Sequence, residues 1–212
     1  MGRFTFEDTK AENQKLETYE WDNIWWNNAP DKEKRRVLII GDSITCGYRD
    51  DVNELLGGEI YIDGYASSKA VDNPFLIPAI DLMIAQSNCF MILFNSGLHG
   101  FHLDEETYRI NYIKIVNHLM EKYPEKKLTL MTSTPVRDEE NRKLLSERTE
   151  REVVVRNKVV KEIAADKGLD IIDLFGVLIN EDYRLWRDIV HLYPEGNDKL
   201  AAVVTEYIKK NM

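Results

Sequence analysis

The sequence predicts a doubly wound α/β sandwich, a parallel sheet with helices on both faces, and three observations predict it. Short β-branched-rich apolar runs recur along the chain, and longer segments with helical spacing alternate with them. The 212 residues fit one ordinary domain and leave little room for a second. Strands covered on both faces read as continuous apolar runs rather than as alternation. Right-handed crossovers between such strands put helices on either side of the sheet.

Residues 1–35 read as a polar and aromatic arm ending in Trp21, Ile24, Trp25, Trp26 and then Ala29-Pro30-Asp31. Three tryptophans within six residues are too apolar to stay in water, so the arm is expected to pack on the body or line a pocket. The body, 36–212, opens with Val37-Leu38-Ile39-Ile40, a strand stopped by Gly41. Segments 59–63, 89–94, 128–132 and 169–172 repeat that short apolar theme. Helical spacing is clearest over 105–121 (Tyr108, Tyr112, Ile115, Leu119) and 141–167 (Val155, Val159, Ile163), and a last helix runs over about 196–209.

Composition narrows the function classes. A hydrophobic share of 43% supports a sizeable core, while 28 Lys and Arg against 37 Asp and Glu leave a net charge of −9. An acidic chain without a basic run repels a phosphate backbone, which argues against a nucleic-acid partner. The one basic cluster, around Glu33 from Lys32 to Arg36, reads as a solvated loop. Two distant cysteines, Cys46 and Cys89, suggest neither a disulfide framework nor a metal knuckle, and permit a reducing compartment. Residues 1–10 lack the apolar core of a signal peptide, so the expectation is cytoplasmic as the sequence stands, or exported if a leader has been removed. No apolar run approaches the ~20 residues of a membrane span.

In a doubly wound sheet, ligands bind beyond the carboxyl ends of the strands. Gly41-Asp42-Ser43 sits there, where the first strand gives way to a helix. A serine at a helix N-terminus suits a nucleophile whose attack creates an oxyanion, because unpaired N–H groups and the dipole favour negative charge. The same tripeptide also fits a plain helix N-cap. Near the other end, Asp188-Ile189-Val190-His191 places a carboxylate three residues before an imidazole. Asp188 there can orient His191 and stabilise its charged form, or the pair can be a surface ion pair.

Together these blocks resemble the SGNH (GDSL-type) hydrolases. Gly41-Asp42-Ser43 resembles their nucleophile block, and Asp188 to His191 with Gly196 and Ala201 resembles the closing block that supplies acid and base. The order along the chain is similar too, and the resemblance runs from about Arg36 to the C-terminus. It implies a three-layer α/β/α sandwich with a parallel, flavodoxin-like sheet, and a serine esterase with Ser43, His191 and Asp188 as its triad. It also implies an oxyanion hole from the N–H of Ser43, the Asn95 amide and a second backbone N–H. Asn95 opens Asn95-Ser96-Gly97-Leu98-His99-Gly100-Phe101, which resembles the family's third block, although Leu93 and Ser96 replace the usual Gly and Asp. Ser68 falls where the second block normally has a glycine, and Gly64 is the alternative.

The implied substrate is a small-molecule or carbohydrate ester, with no cofactor and no metal required. The Trp21, Trp25 and Trp26 cluster fits either a core clasp or a sugar-stacking wall. His99 and His102 fit substrate contact or plain structure, His118 fits a helix surface, and Arg137 fits either substrate contact or solvent. A lipase- or thioesterase-like acyl hydrolase, or an inactive binding module on the same fold, stands as the alternative. A dinucleotide site is disfavoured because the glycine spacing and a Gly-Lys-Ser/Thr cradle are absent.

Overall fold

The structure is a computed structural model that describes Glu7 and residues 10–212. A six-stranded sheet forms its middle layer, in the order β1-β3-β2-β4-β5-β6. Its strands are β1 (Asp22–Trp25), β2 (Arg36–Gly41), β3 (Tyr61–Ser67), β4 (Met91–Phe94), β5 (Lys127–Met131) and β6 (Asp170–Ile172). All neighbouring pairs are parallel except the edge pair, where β1 runs antiparallel to β3. The helices are α1 (Ser43–Leu55), α2 (Leu76–Ser87), α3 (Glu105–Lys122), α4 (Val154–Lys167), α5 (Leu174–Leu178) and α6 (Pro194–Lys210).

Side-chain alternation along β2 divides the core. Val37 and Ile39 face one cluster with Tyr48 and Val52 of α1, Leu178 of α5 and Leu200, Val204 and Ile208 of α6. Leu38 and Ile40 face the other, with Ile80 and Ile84 of α2, Tyr112 and Ile115 of α3 and Val159 and Ile163 of α4. Both faces of β2 are thus dry, which is why its sequence is an unbroken apolar run. The result is the expected three-layer α/β/α sandwich.

Several elements differ from the sequence expectation. Residues 59–60 belong to the turn leaving α1, where Gly57 (φ 59°) and Gly58 (φ 78°) adopt left-handed conformations, and β3 begins only at Tyr61. The strand then runs through Asp63 and Gly64 to Ser67. The Asp63 carboxylate is fully buried but is held by Arg36 Nη1 at 2.8 Å and the Ser87 hydroxyl at 2.7 Å. The helix expected over 141–167 starts at Thr149 with one π-wound turn and ends at Gly168 in the left-handed region (φ 66°). Residues 138–146 form a loop instead, because Arg137 bridges Leu145 and Arg142 reaches across to the carbonyls of Trp186 and Arg187.

The arm supplies β1, a strand absent from the sequence expectation. Tyr65 donates its hydroxyl hydrogen to Asp22 (2.8 Å) and Lys69 pairs with the same carboxylate (2.6 Å), while Trp26 packs against the α2–α4 core cluster. No helix among the described residues is long and apolar enough to cross a membrane.

Candidate active site

Ser43 is the first residue of α1, and Asp42 before it is the cap. The Asp42 carboxylate accepts from the Ile44 N–H (2.9 Å) and its carbonyl accepts from the Thr45 N–H (3.0 Å). With Asp42 capping, the serine hydroxyl is left for another partner. That partner is His191, whose Nε2 lies 2.8 Å from Ser43 Oγ. Burial pushes the Asp42 carboxyl up, partly offset by His99, the Ile44 N–H and His191.

The Asp188 to His191 segment is a tight loop closed on its own carboxylate. Asp188 Oδ1 accepts from the N–H of Val190 (2.8 Å) and of His191 (2.7 Å), and Oδ2 lies 2.8 Å from His191 Nδ1. Burial alone would raise the Asp188 carboxyl. The two backbone N–H groups and the imidazole outweigh it and hold the carboxyl below its ordinary range. An ionised Asp188 fixes the proton on Nδ1 and leaves Nε2 as an acceptor toward Ser43. The three side chains therefore form one hydrogen-bonded line from carboxylate to hydroxyl.

The loop is braced from outside. The Arg137 N–H donates to the Ile189 carbonyl (2.8 Å), and the Arg137 guanidinium lies 3.9 Å from the ring centre of buried Trp186. Nη2 of the same side chain donates to the Glu181 carbonyl (2.8 Å). Arg137 is thus buried scaffold, and neither of the roles open in the sequence, substrate contact or solvation, describes it.

Asn95 is buried at the end of β4, and both protons of its amide point toward the end of β5. Nδ2 donates to the Met131 carbonyl (2.9 Å) and to Ser133 Oγ (3.1 Å). The following loop is clamped by Arg156 of α4, which donates to the carbonyls of Gly97 (3.1 Å), His99 (2.7 Å) and Gly100 (2.7 Å). Gly97 has no room for a side chain, since a Cβ there would run into the Ser133 hydroxyl.

Ser68 does not stand where an oxyanion at Ser43 would need it. Its N–H donates to the Trp21 carbonyl (3.2 Å), its hydroxyl donates to Glu20 (2.6 Å), and the Trp21 N–H donates back to that hydroxyl (2.9 Å). That N–H continues the β1–β3 ladder, and β1 and β2 flank β3 on opposite sides. It therefore points away from β2 and from the serine that follows it. Gly64 offers no substitute, being paired within β3 to both Trp25 and Ile39. Its own role is steric, because a Cβ would sit 3.0 Å from the Arg49 side chain.

The other histidines are held by carboxylates. His99 Nδ1 lies 2.9 Å from Glu17, which also accepts from the Gly100 N–H (3.1 Å). His102 lies 2.7 Å from Asp72, and His118 lies 2.7 Å from Asp81. Among the described residues no group of His, Cys, Asp and Glu could hold a metal ion. Two small cavities adjoin the site, each of about 10 Å³, one lined by Asp42, Asn95, Ser67 and His99 and the other by Asp42, Thr45, Asn95 and Ser133. Glu17, Ser133 and Arg156 went unnoticed in the sequence. Each acts through a partner distant along the chain, and no local pattern marks it.

No protein-family model and no curated protein matches the chain. Solved structures do. A GDSL-like lipase from Bacteroides thetaiotaomicron superposes with a TM-score of 0.67 at 16% identity, covering 87% of this chain and 92% of that one. The aryl esterase of M. smegmatis gives 0.67 at 14% identity, covering 84% and 100%. A carbohydrate acetylesterase from Sinorhizobium meliloti gives 0.64 at 16% identity, with the same coverage of 84% and 100%. At these identities the likeness speaks for architecture. The chain has the fold of the SGNH (GDSL-type) hydrolases.

Proposed function

We propose that this chain is a serine esterase that cleaves short-chain acyl esters through an acyl-enzyme, with an O-acetylated carbohydrate as the finer reading of its substrate. The observation that carries the proposal is the hydrogen-bonded line Asp188–His191–Ser43, with 2.8 Å at each side-chain contact to the imidazole. In this reading Ser43 Oγ attacks the ester carbonyl carbon as its proton passes to His191 Nε2. Asp188 keeps the imidazole in the required tautomer and stabilises the imidazolium. The tetrahedral intermediate then collapses, the C–O bond to the alcohol breaks, and Nε2 returns the proton to the departing oxygen. Water repeats the sequence on the acyl-enzyme and releases the acid.

Two donors serve the oxyanion in this proposal. The Ser43 N–H opens α1 and has no partner within that helix. The Asn95 amide would exchange its bond to the Ser133 hydroxyl for the developing charge. Each such donor is worth ~3 kcal/mol of transition-state stabilisation. Ser68 is left out because its N–H is held by Trp21. The fold neighbour that is a carbohydrate acetylesterase supports the finer reading.

The test is hydrolysis of p-nitrophenyl esters of graded acyl length, together with fluorophosphonate labelling. Wild-type protein is expected to label and to turn over the acetyl ester fastest, and Ser43→Ala is expected to do neither. Protein that neither labels nor turns over any ester would be an inactive binding module on the same fold.

A further inference from the structure

Arg137 is 4% exposed, yet among the described residues no carboxylate forms an ion pair with it. Asp182, the carboxylate whose charge reaches it, pairs with Arg184 instead (2.7 Å). Its Nε makes no hydrogen bond among the described residues, and neither does the indole Nε1 of Trp186, whose ring the same guanidinium covers. A buried cation without a counter-charge costs stability, and an apolar side chain would fill the space at less cost. Stability of the fold therefore does not account for an arginine here.

What the guanidinium covers is the base of the loop that carries Asp188 and His191. An antiparallel bridge between Trp186 and Leu192 closes that loop, and inside it the Arg187 N–H donates to the His191 carbonyl (2.8 Å). Arg137 holds the loop at two points, the Ile189 carbonyl through its backbone N–H and the Trp186 ring through its side chain. Arg142 adds a third hold, since its Nη1 donates to the carbonyls of Trp186 (3.3 Å) and Arg187 (3.0 Å). Both arginines belong to one hairpin, in which Arg137 bridges Leu145 and the Asp138 N–H donates to the Leu144 carbonyl (3.1 Å). Arg187 and Ile189 flank Asp188 in the chain, so the carbonyls on both sides of the carboxylate residue are held from this hairpin.

We propose that the 137–145 hairpin is a clamp that sets the direction of Asp188 and His191 toward Ser43, with Arg137 and Arg142 as its positioning residues. The proposal rests on the esterase reading above. Both arginines act through the loop's backbone and its Trp186 base. A shift of the two flanking carbonyls would turn the Asp188 carboxylate away from the imidazole, and a misplacement of ~1 Å can cost ~10²-fold in rate. The unneutralised charge of Arg137 is the cost of holding this geometry.

The experiment compares wild type with Arg137→Met and Arg142→Met by p-nitrophenyl acetate kinetics, rate of fluorophosphonate labelling and thermal melt. Arg137→Met removes the unpaired charge and keeps an apolar stem, so its melt is expected to stay within ~3 °C of wild type or to rise. Its kcat and labelling rate are expected to fall at least ~tenfold while KM stays within about twofold. Arg142 is exposed, so Arg142→Met is expected to keep its melt and to lose roughly three- to tenfold in kcat and labelling rate. A role in support of the fold alone would lower the melt and leave the kcat of folded protein unmoved. Both variants within about twofold of wild type in kcat and labelling overturn the clamp. A rise in KM at unchanged kcat overturns it as well, because the arginines would then be meeting substrate. A wild type that neither labels nor turns over ester sinks the esterase reading itself, whereas an active wild type with unaffected variants sinks only the clamp.

Discussion

Replacing Asp188 by Asn changes one atom and inverts the hydrogen bonding of the imidazole. In the structure Oδ1 accepts from two backbone N–H groups and Oδ2 faces His191 Nδ1. An asparagine can keep its oxygen on the two N–H groups, which places its amide nitrogen against Nδ1. Nδ1 must then accept, the proton moves to Nε2, and Nε2 can no longer take the serine proton. The charge is lost as well. Two unit charges ~4 Å apart interact by ~4 kcal/mol at an effective dielectric constant near 20. Asp188 is 45% exposed at its side chain, and solvent screening reduces that to ~2–3 kcal/mol. Charge and tautomer together predict a fall in kcat/KM of ~10²–10³. The assay is initial-rate hydrolysis of p-nitrophenyl acetate at neutral pH, with a thermal melt alongside. The melt is expected to move by less than ~3 °C, because the loop-closing bonds to Oδ1 survive. A variant within threefold of wild type would refute the role given to Asp188.

Further expectations concern the surroundings of the same line. If the amide serves the oxyanion as proposed, Asn95→Ala should lower kcat by ~10²–10³ with little change in KM, measured on the same ester. Arg156→Met removes three charge-assisted hydrogen bonds to the 97–100 loop and should destabilise the fold by ~3–5 kcal/mol, read as a urea midpoint shift. Gly97→Ala forces a methyl group onto the buried Ser133 hydroxyl and should cost ~1–3 kcal/mol by the same measurement. Since the folded state depresses the Asp188 carboxyl, its stabilising contribution is complete above the ordinary carboxylate range and disappears as pH falls through the folded value. Wild type should therefore lose stability on acidification more steeply than Asp188→Asn, as followed by acid titration of the melt.

Much of this architecture can be read directly from residues. β2 is legible because both its faces are dry, and Ser43, Asp188 and His191 are legible because each sits in a compact local block. What escapes the sequence is set by distant partners. β1 carries only exposed residues, and Asp22-Asn23-Ile24-Trp25 shows neither an apolar run nor alternation, since its bonds go to an edge that another part of the chain creates. Loop 138–146 has helix-compatible residues but is pulled away by Arg137 and Arg142. Ser68 is the sharpest case. Its position in the second block follows from the resemblance, but the direction of its N–H depends on which side of β3 the arm covers.

Pairing by β1 also decides what happens to a shortened protein. Without its first thirty-five residues, the chain would expose the outer margin of β3 from Gly64 to Ser68 as a row of unanswered amides and carbonyls. Such a margin recruits other strands, including its own counterpart in a neighbouring molecule. A truncated version beginning at Arg36 should therefore self-associate, and its solubility would report the arm's contribution independently of any catalytic readout.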